Sequence, residues 1–261
     1  MQFRHRWSDH RRTVAKLNCM EAYYTWPLDS LQIFLRYFVI AGLTYFIFYH
    51  WKRNRFRDQK LQPAIPSRKR ITREVLYSIM TLSIFCGVSW LTIWATQQGY
   101  SQIYTNVEEY GNGYLFLSFT IMVLMHDTYF YWTHRFMHMR SIFPLVHRIH
   151  HHSHNPDPWS AFSFHPLEAI LATGIIPLIV FTLPCHPFAL FGFLTYMTLI
   201  NVLGHLGYEI LPKRFRENRF GKYHNSATHH NLHHQEATYN FGLYFTLWDR
   251  WMGTFSEKQN D

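Results

Sequence analysis

The sequence predicts an all-α, multi-pass integral membrane protein carrying a histidine-rich cap, and three observations predict it. Apolar runs long enough to cross a bilayer alternate with strongly basic loops. Aromatic residues make up 19% of the chain, with 23 Phe, 17 Tyr and 9 Trp, a load suited to a protein whose Trp and Tyr gather at membrane interfaces. Sixteen of the 19 histidines fall between His126 and His234. The mean hydropathy of -0.18 is low for a membrane protein, and agrees with one only if apolar spans carry a large polar cap. The 261 residues read as one membrane domain over 1–261.

Taken in order, residues 1–27 are basic and aromatic (Arg4, Arg6, Trp7, Arg11, Arg12, Tyr23, Tyr24, Trp26). They read as a tail or interfacial segment. They do not read as a secretory signal, because no apolar stretch follows before about residue 30. The first candidate span is Leu31 to Trp51, with Gln32 and Arg36 inside its weak start. The loop over 52–73 carries nine Lys or Arg, and Pro63 and Pro66 break any helix there. The second span runs from about Val75 to Ala95. The loop after it, 97–112, has no Lys or Arg and carries Glu108 and Glu109. The positive-inside rule places 52–73 in the cytoplasm and 97–112 on the far side. The basic N-terminus opposes this: either the first span is re-entrant or the larger loop dominates, and the second is preferred.

A third span begins near Tyr114 and continues as one long helix through His126, His134 and His138, projecting a site from the membrane on the cytoplasmic side. Residues 139–166 form a polar bend with four prolines. Leu167 to Leu183 and Phe188 to Leu203, joined by Pro184-Cys-His-Pro187, read as a helical hairpin that enters the membrane and returns. Residues 211–229 are basic again, and the ending over 239–255 is aromatic.

The three histidine groups read HRFMH (His134, His138), HRIHH (His147, His150, His151) and HNLHH (His230, His233, His234). On a helix, positions i, i+3 and i+4 share a face, so each group presents imidazoles side by side. Neutral imidazole binds Fe, Zn, Cu and Ni. Eight clustered imidazoles exceed the four of a closed zinc site and imply two ions, each held by about four histidines. The three cysteines, Cys19, Cys86 and Cys185, form no CxxC pair, so neither a disulfide framework nor a zinc ribbon is indicated. The net charge of +9 admits a nucleic-acid partner, but the basic residues flank apolar runs, which favours anionic lipid headgroups over nucleic acid.

The stretches HDTYFYWTHRFMH, HRIHHHSHNP, FHPLEA, GHLGYE and THHNLHHQEATYNFGLYFTLWDRWMGTF together resemble the fatty-acid hydroxylase and sterol desaturase superfamily, most closely its sterol C5-desaturase branch. The resemblance covers about Tyr114 to Phe255. One position departs from it: Met139 follows His138 where sterol desaturases often read HRxLHH. The resemblance implies two Fe ions, with zinc able to replace them in a purified sample. It implies as ligands His134, His138, His147, His150, His151, His230, His233 and His234. His205 in GHLGYE matches a further histidine that the family often adds late in the hairpin.

Removing hydrogen from an unactivated C–H bond needs an oxidant that no side chain supplies. Two irons beside an open position can activate dioxygen for that step. Return of a hydroxyl gives hydroxylation, and loss of a second hydrogen gives a double bond. With no GxGxxG or P-loop, the electrons must come from outside. A b-type cytochrome, or a ferredoxin with its reductase, is the expected donor. The expected substrate is a sterol or long-chain lipid; sterol desaturation is preferred, with acyl- or alkyl-chain hydroxylation as the alternative. A non-catalytic metal-binding membrane protein is a third reading and a metal-dependent hydrolase a fourth. The expected membrane is the endoplasmic reticulum in a eukaryote or the inner membrane in a bacterium. Asp127, Glu168, Glu209, Glu236 and Asp249 are candidates to orient ligand histidines, and His126 to be a buried, hydrogen-bonded histidine. Phe119, Met122, Met125, Thr198 and Asn201 are expected to line the substrate cavity.

Overall fold

A computed structural model describes residues 26–257 of the chain. Residues 1–25, which include His5, His10 and Cys19, lie outside the described residues. Within 26–257 the chain is helical, with isolated bridges and no strand. The helices that position the site are α1 (Trp26–Trp51), α2 (Arg68–Gln97), α3 (Asn112–Met137), α4 (Pro166–Thr173), α5 (Ile175–Thr182), α6 (Pro187–Gly204), α7 (Ala227–Glu236) and α8 (Leu247–Trp251).

Three of the described helices, α1, α2 and α6, are long and apolar enough to cross a membrane. α1 is one unbroken helix of 26 residues, without the internal break a re-entrant segment needs to turn back. Leu28, Leu31, Leu35, Val39, Leu43 and Phe46 are exposed along it at helical spacing, an apolar stripe that lipid covers at less cost than water. Its last turn, Phe46–Trp51, is π-helical. α2 starts well before the expected Val75 because Ser67 caps it, its hydroxyl accepting from Arg70 N.

α3 forms where the third span was expected but is not among the three membrane-length apolar helices. Only its first half is apolar; His126, Asp127, His134 and Arg135 occupy its second half. The first arm of the expected hairpin is likewise two short helices, α4 and α5, rather than one. Pro177 has no N–H to give the carbonyl of Thr173, and the Tyr129 hydroxyl donates to the Leu171 carbonyl at 2.7 Å. Gly174 sits at the break, where a Cβ would come within 2.6 Å of the Tyr129 oxygen.

The two connecting loops lie at opposite ends of the helices. Beyond α2, Gln102 N donates to Val180 O (2.8 Å) and Tyr104 N to Cys185 O (3.2 Å), tying 97–112 to the turn of the hairpin. The 52–67 loop lies against the histidine end. There Leu61 N donates to Gly207 O (3.0 Å), Glu209 N to Gln59 O (2.8 Å), and Gln62 Nε2 to Asn231 Oδ1 (2.6 Å). Gly207 has φ +72°, and a Cβ there would meet Tyr49 Oη at 2.7 Å, so glycine is needed both for the turn and for the close approach. Cys86 and Cys185 are buried, free thiols.

Candidate metal centre

Each histidine group is positioned by a different local device. His134 lies in the last turn of α3, and His138 is its C-cap. His147 caps the four-residue helix Phe143–Val146, and His150–His152 form a 3-10 turn, so the second group is not one continuous α-helix face. Arg70 on α2 holds this segment. It lies 2.7 Å from Asp157 Oδ2, donates to Asn155 O at 2.8 Å, and sits 3.3 Å from Glu74, which accepts from Ser153. The third group lies on α7, which Ser226 caps by accepting from His229 N, and which Ala237 ends in the left-handed region at φ 57°.

The side chains converge into two groups. His134, His138, His147, His151 and His233 form one; His150, His205, His230 and His234 form the other. Within each, one nitrogen from every residue lies within 4.8 Å of the rest. All nine are the residues singled out in the sequence, and His205 enters from the C-cap of α6.

Hydrogen bonds fix which nitrogen carries the proton. Nδ1 of His134, His233 and His205 lies 2.8, 2.6 and 2.8 Å from the carbonyls of Phe241, Tyr239 and Asn201. A carbonyl only accepts, so each Nδ1 holds a proton and each Nε2 is left with a lone pair. These bare nitrogens face others. His134 Nε2 is 3.0 Å from His147 Nε2, whose Nδ1 lies 2.8 Å from Glu168. His233 Nε2 is 3.1 Å from His151 Nε2. His205 Nε2 lies 2.9, 3.2 and 3.3 Å from Nε2 of His230, His150 and His234. One lone pair cannot satisfy three neighbours by hydrogen bonding. A cation does: imidazole nitrogens held about 2 Å from one ion stand about this far apart. His138 Nε2 is also buried with no hydrogen-bond partner among the described residues. The donor set therefore fits two metal ions.

The electrostatics agree. Burial, and then the repulsion of neighbouring imidazoles, holds His147, His150, His151, His230 and His234 well below the usual histidine range. His233 is lowered by burial and by His134. These side chains are neutral near pH 7, the form that binds metal.

Among the candidate carboxylates, Glu168 touches a histidine of the groups directly, through His147. Asp127 and Asp249 act one step further out. Asp127 accepts from Tyr244 N (3.0 Å) and Phe245 N (3.2 Å). Asp249 accepts from Phe241 N and Gly242 N, both at 2.8 Å. Together they fix the 239–245 segment whose carbonyls orient His134 and His233. Glu209 accepts from the Thr228 hydroxyl at 2.6 Å at the start of α7. Glu236 has no hydrogen bond or ion pair with a described residue. The Tyr239 and Phe241 carbonyls were missed by sequence reasoning, since any residue carries one.

Of the other histidines, none joins the two groups. His126 is buried, with Nδ1 2.8 Å from the Tyr244 hydroxyl. His154 and His224 contact backbone carbonyls, His165 caps α4, His152 is exposed, and His229 packs on Phe255 and is pushed down to about 4 by burial. His186 is buried: it caps α6 and lies 3.1 Å from Thr105 O.

A cavity of about 710 Å³ lies beside the histidines, within the range of about 300–1,000 Å³ usual for ligand sites. His126, Phe130, Phe164, Ala172 and Asn201 line it and also line the narrower space that reaches His134, His147, His150, His205 and His230. Of the five expected lining residues only Asn201 is present. Met122 is fully buried in the contact of α3 with α6, with Phe119 and Met125 packed beside it, and Thr198 is buried with its hydroxyl donating to Leu194 O. The cavity lies between α6 and α1, α2, α4 and α5, with His126 and Phe130 of α3 also in its wall.

The sequence pattern of the fatty acid hydroxylase family matches residues 119–254, which hold all nine histidines. Lathosterol oxidase of Rattus norvegicus is 27% identical over 248 residues, covering 88% of this chain and 78% of its own. Lathosterol oxidase of Homo sapiens is 29% identical over 251 residues, with the same coverage. A Delta(7)-sterol 5(6)-desaturase of Schizosaccharomyces pombe is 30% identical over 243 residues, covering 91% of this chain and 67% of its own. No solved structure matches the chain. With the family pattern spanning just over half of its length, the chain belongs to the fatty acid hydroxylase family.

Proposed function

We propose that this chain is a membrane-embedded, iron- and dioxygen-dependent oxidoreductase that introduces a double bond into a sterol. Family membership supports lipid desaturation or hydroxylation, and the names of the relatives favour the sterol. The observation that carries the reading is the apolar cavity ending on two groups of lone-pair-bearing imidazoles.

His134, His138, His147, His151 and His233 would hold one iron, and His150, His205, His230 and His234 the other. When bound, the irons supply, from dioxygen and two outside electrons, the oxidant that removes hydrogen from carbon. The chain's own residues prepare the site. The carbonyls of Tyr239, Phe241 and Asn201 keep protons on Nδ1 and so aim Nε2 inward. Phe130, Phe164 and Ala172 form an apolar wall that excludes water and lays the carbon skeleton against the centre. The external donor, a b-type cytochrome or a ferredoxin, docks on the histidine end, where Lys213, Arg214 and Arg216 offer basic charge. That end faces the cytoplasm, and the whole chain forms one membrane domain.

From Pro187 to Asn201, α6 flanks the cavity over about 21 Å at 1.5 Å per residue, so an extended acyl chain also fits, and hydroxylation of such a chain is the second reading. Mass spectrometry of products after expression with candidate sterols and lipids separates them. A sterol lacking two hydrogens supports the proposal; an acyl lipid gaining one oxygen supports the second reading; no product from the metal-loaded protein removes both.

A further inference from the structure

α1 lies outside the stretch matched by the family pattern, yet it supplies one wall of the cavity. Asp29, Gln32, Ile33 and Arg36 all line it. Asp29, Gln32 and Arg36 stand at i, i+3 and i+7, one face of a helix; Asp29 and Arg36 are half-buried and Gln32 is exposed, as are Leu28, Leu31, Leu35 and Val39 on the remaining surface. The helix is thus polar toward the cavity and apolar toward the outside. The adjoining Tyr37 hydroxyl donates to the Trp159 carbonyl at 2.8 Å, which puts Arg36 nearer the histidine end. Asp29 lies about 10 Å further away at 1.5 Å per residue.

The Arg36 side chain makes no hydrogen bond or ion pair with any described residue, and the cavity around it is mainly apolar: Phe85, Ile93, Phe162, Leu190, Leu194 and Met197 contribute. An ionisable side chain inside a membrane span is costly and is retained where it has work to do. A guanidinium offers five donors and no acceptor, so what completes it is an oxygen acceptor brought in by the occupant of the cavity. Gln32 adds a donor and an acceptor a turn away, and Asp29 an acceptor beyond it.

We propose that Arg36, backed by Gln32 and Asp29, binds the oxygen-bearing polar end of an otherwise apolar lipid and so sets which way round and how deep that lipid lies. The group recognised is a hydroxyl or a carboxylate. Arg36 is thereby a specificity-determining residue that the histidine boxes do not reveal. The inference rests on reading the cavity as the substrate site.

The test measures equilibrium binding of four probes to the full chain in phospholipid nanodiscs: lathosterol, its 3-deoxy analogue, stearic acid and octadecane. The wild-type protein should bind one headed probe about tenfold or more tightly than its headless partner, as a hydrogen bond to a charged group allows. Arg36→Met should bring that ratio close to one while leaving binding of the headless probe unchanged, and Arg36→Lys should keep part of it. Metal content and thermal melting check the fold, and Gln32→Leu, expected to lower the ratio by a smaller factor, serves if Arg36→Met does not fold. Discrimination by Arg36 in the sterol pair supports both this site and the sterol reading. Discrimination in the fatty-acid pair alone supports the site and overturns the sterol reading. A wild-type ratio retained by Arg36→Met, or the absence of discrimination in both pairs, overturns the site.

Discussion

His205 Nε2 stands within 3.3 Å of three other ring nitrogens, while its own Nδ1 is committed to the Asn201 carbonyl. Its replacement takes a donor from the four-histidine group that no neighbour can replace. His205→Ala should therefore lower the metal content of the purified protein clearly below about two ions per chain, the number the two groups of donors would hold. Elemental analysis checks this, with His229→Ala as a control that should keep both. At this scale the sequence was informative because imidazoles carry their chemistry in their side chains, so HRFMH, HRIHH and HNLHH could be recognised by type and spacing, whereas the isolated His205 came only from the family resemblance. The groups that orient them were not legible, because Phe241 and Tyr239 act through backbone carbonyls.

Between α2 and the second histidine group runs a short chain of charges. Arg70 is in ion-pair contact with both the buried Asp157 and the buried Glu74. Arg70→Ala leaves two carboxylates in a site with little water, and breaking such a pair costs about 3–5 kcal/mol. The variant should melt at clearly lower temperature than the wild type and lose metal on purification, because Ser153, Asn155 and Asp157 no longer hold 150–157 in place. Thermal denaturation followed by elemental analysis reads both effects. The long helices were legible from apolar runs and prolines. The break between α4 and α5 was not read, although Gly174 and Pro177 were visible, because an apolar run through them looks continuous. The second histidine group has helical spacing but lies in the bend expected over 139–166, where, with Pro144 near its start, the chain turns through short helical segments.

For the molecule as a whole, the 52–67 loop and the histidines share one end, and 97–112 shares the other with the hairpin turn. Single cysteines placed at Gln62 and Glu108 of a protein whose native thiols are replaced should be labelled from opposite sides of a sealed membrane vesicle, with Gln62 on the cytoplasmic side. Labelling of both from one side refutes the arrangement. The order of loops and spans could be read from charge and hydropathy. The position of the cavity could not: it depends on which side of α6 faces α1 and α2, and both sides of α6 are apolar.

The two metal groups are threaded through one another. The second box gives His147 and His151 to one group and His150 to the other; the third gives His233 to the first and His230 and His234 to the second. An ion held by one group would not leave without loosening a segment that also serves the other, and the first ion to bind would supply part of the ordering needed by a second. Occupancy should behave as a pair. On titration with a chelator the singly loaded species should stay scarce in native mass spectra, with both ions lost in one steep step; a broad plateau of protein holding one ion would show the sites to be independent.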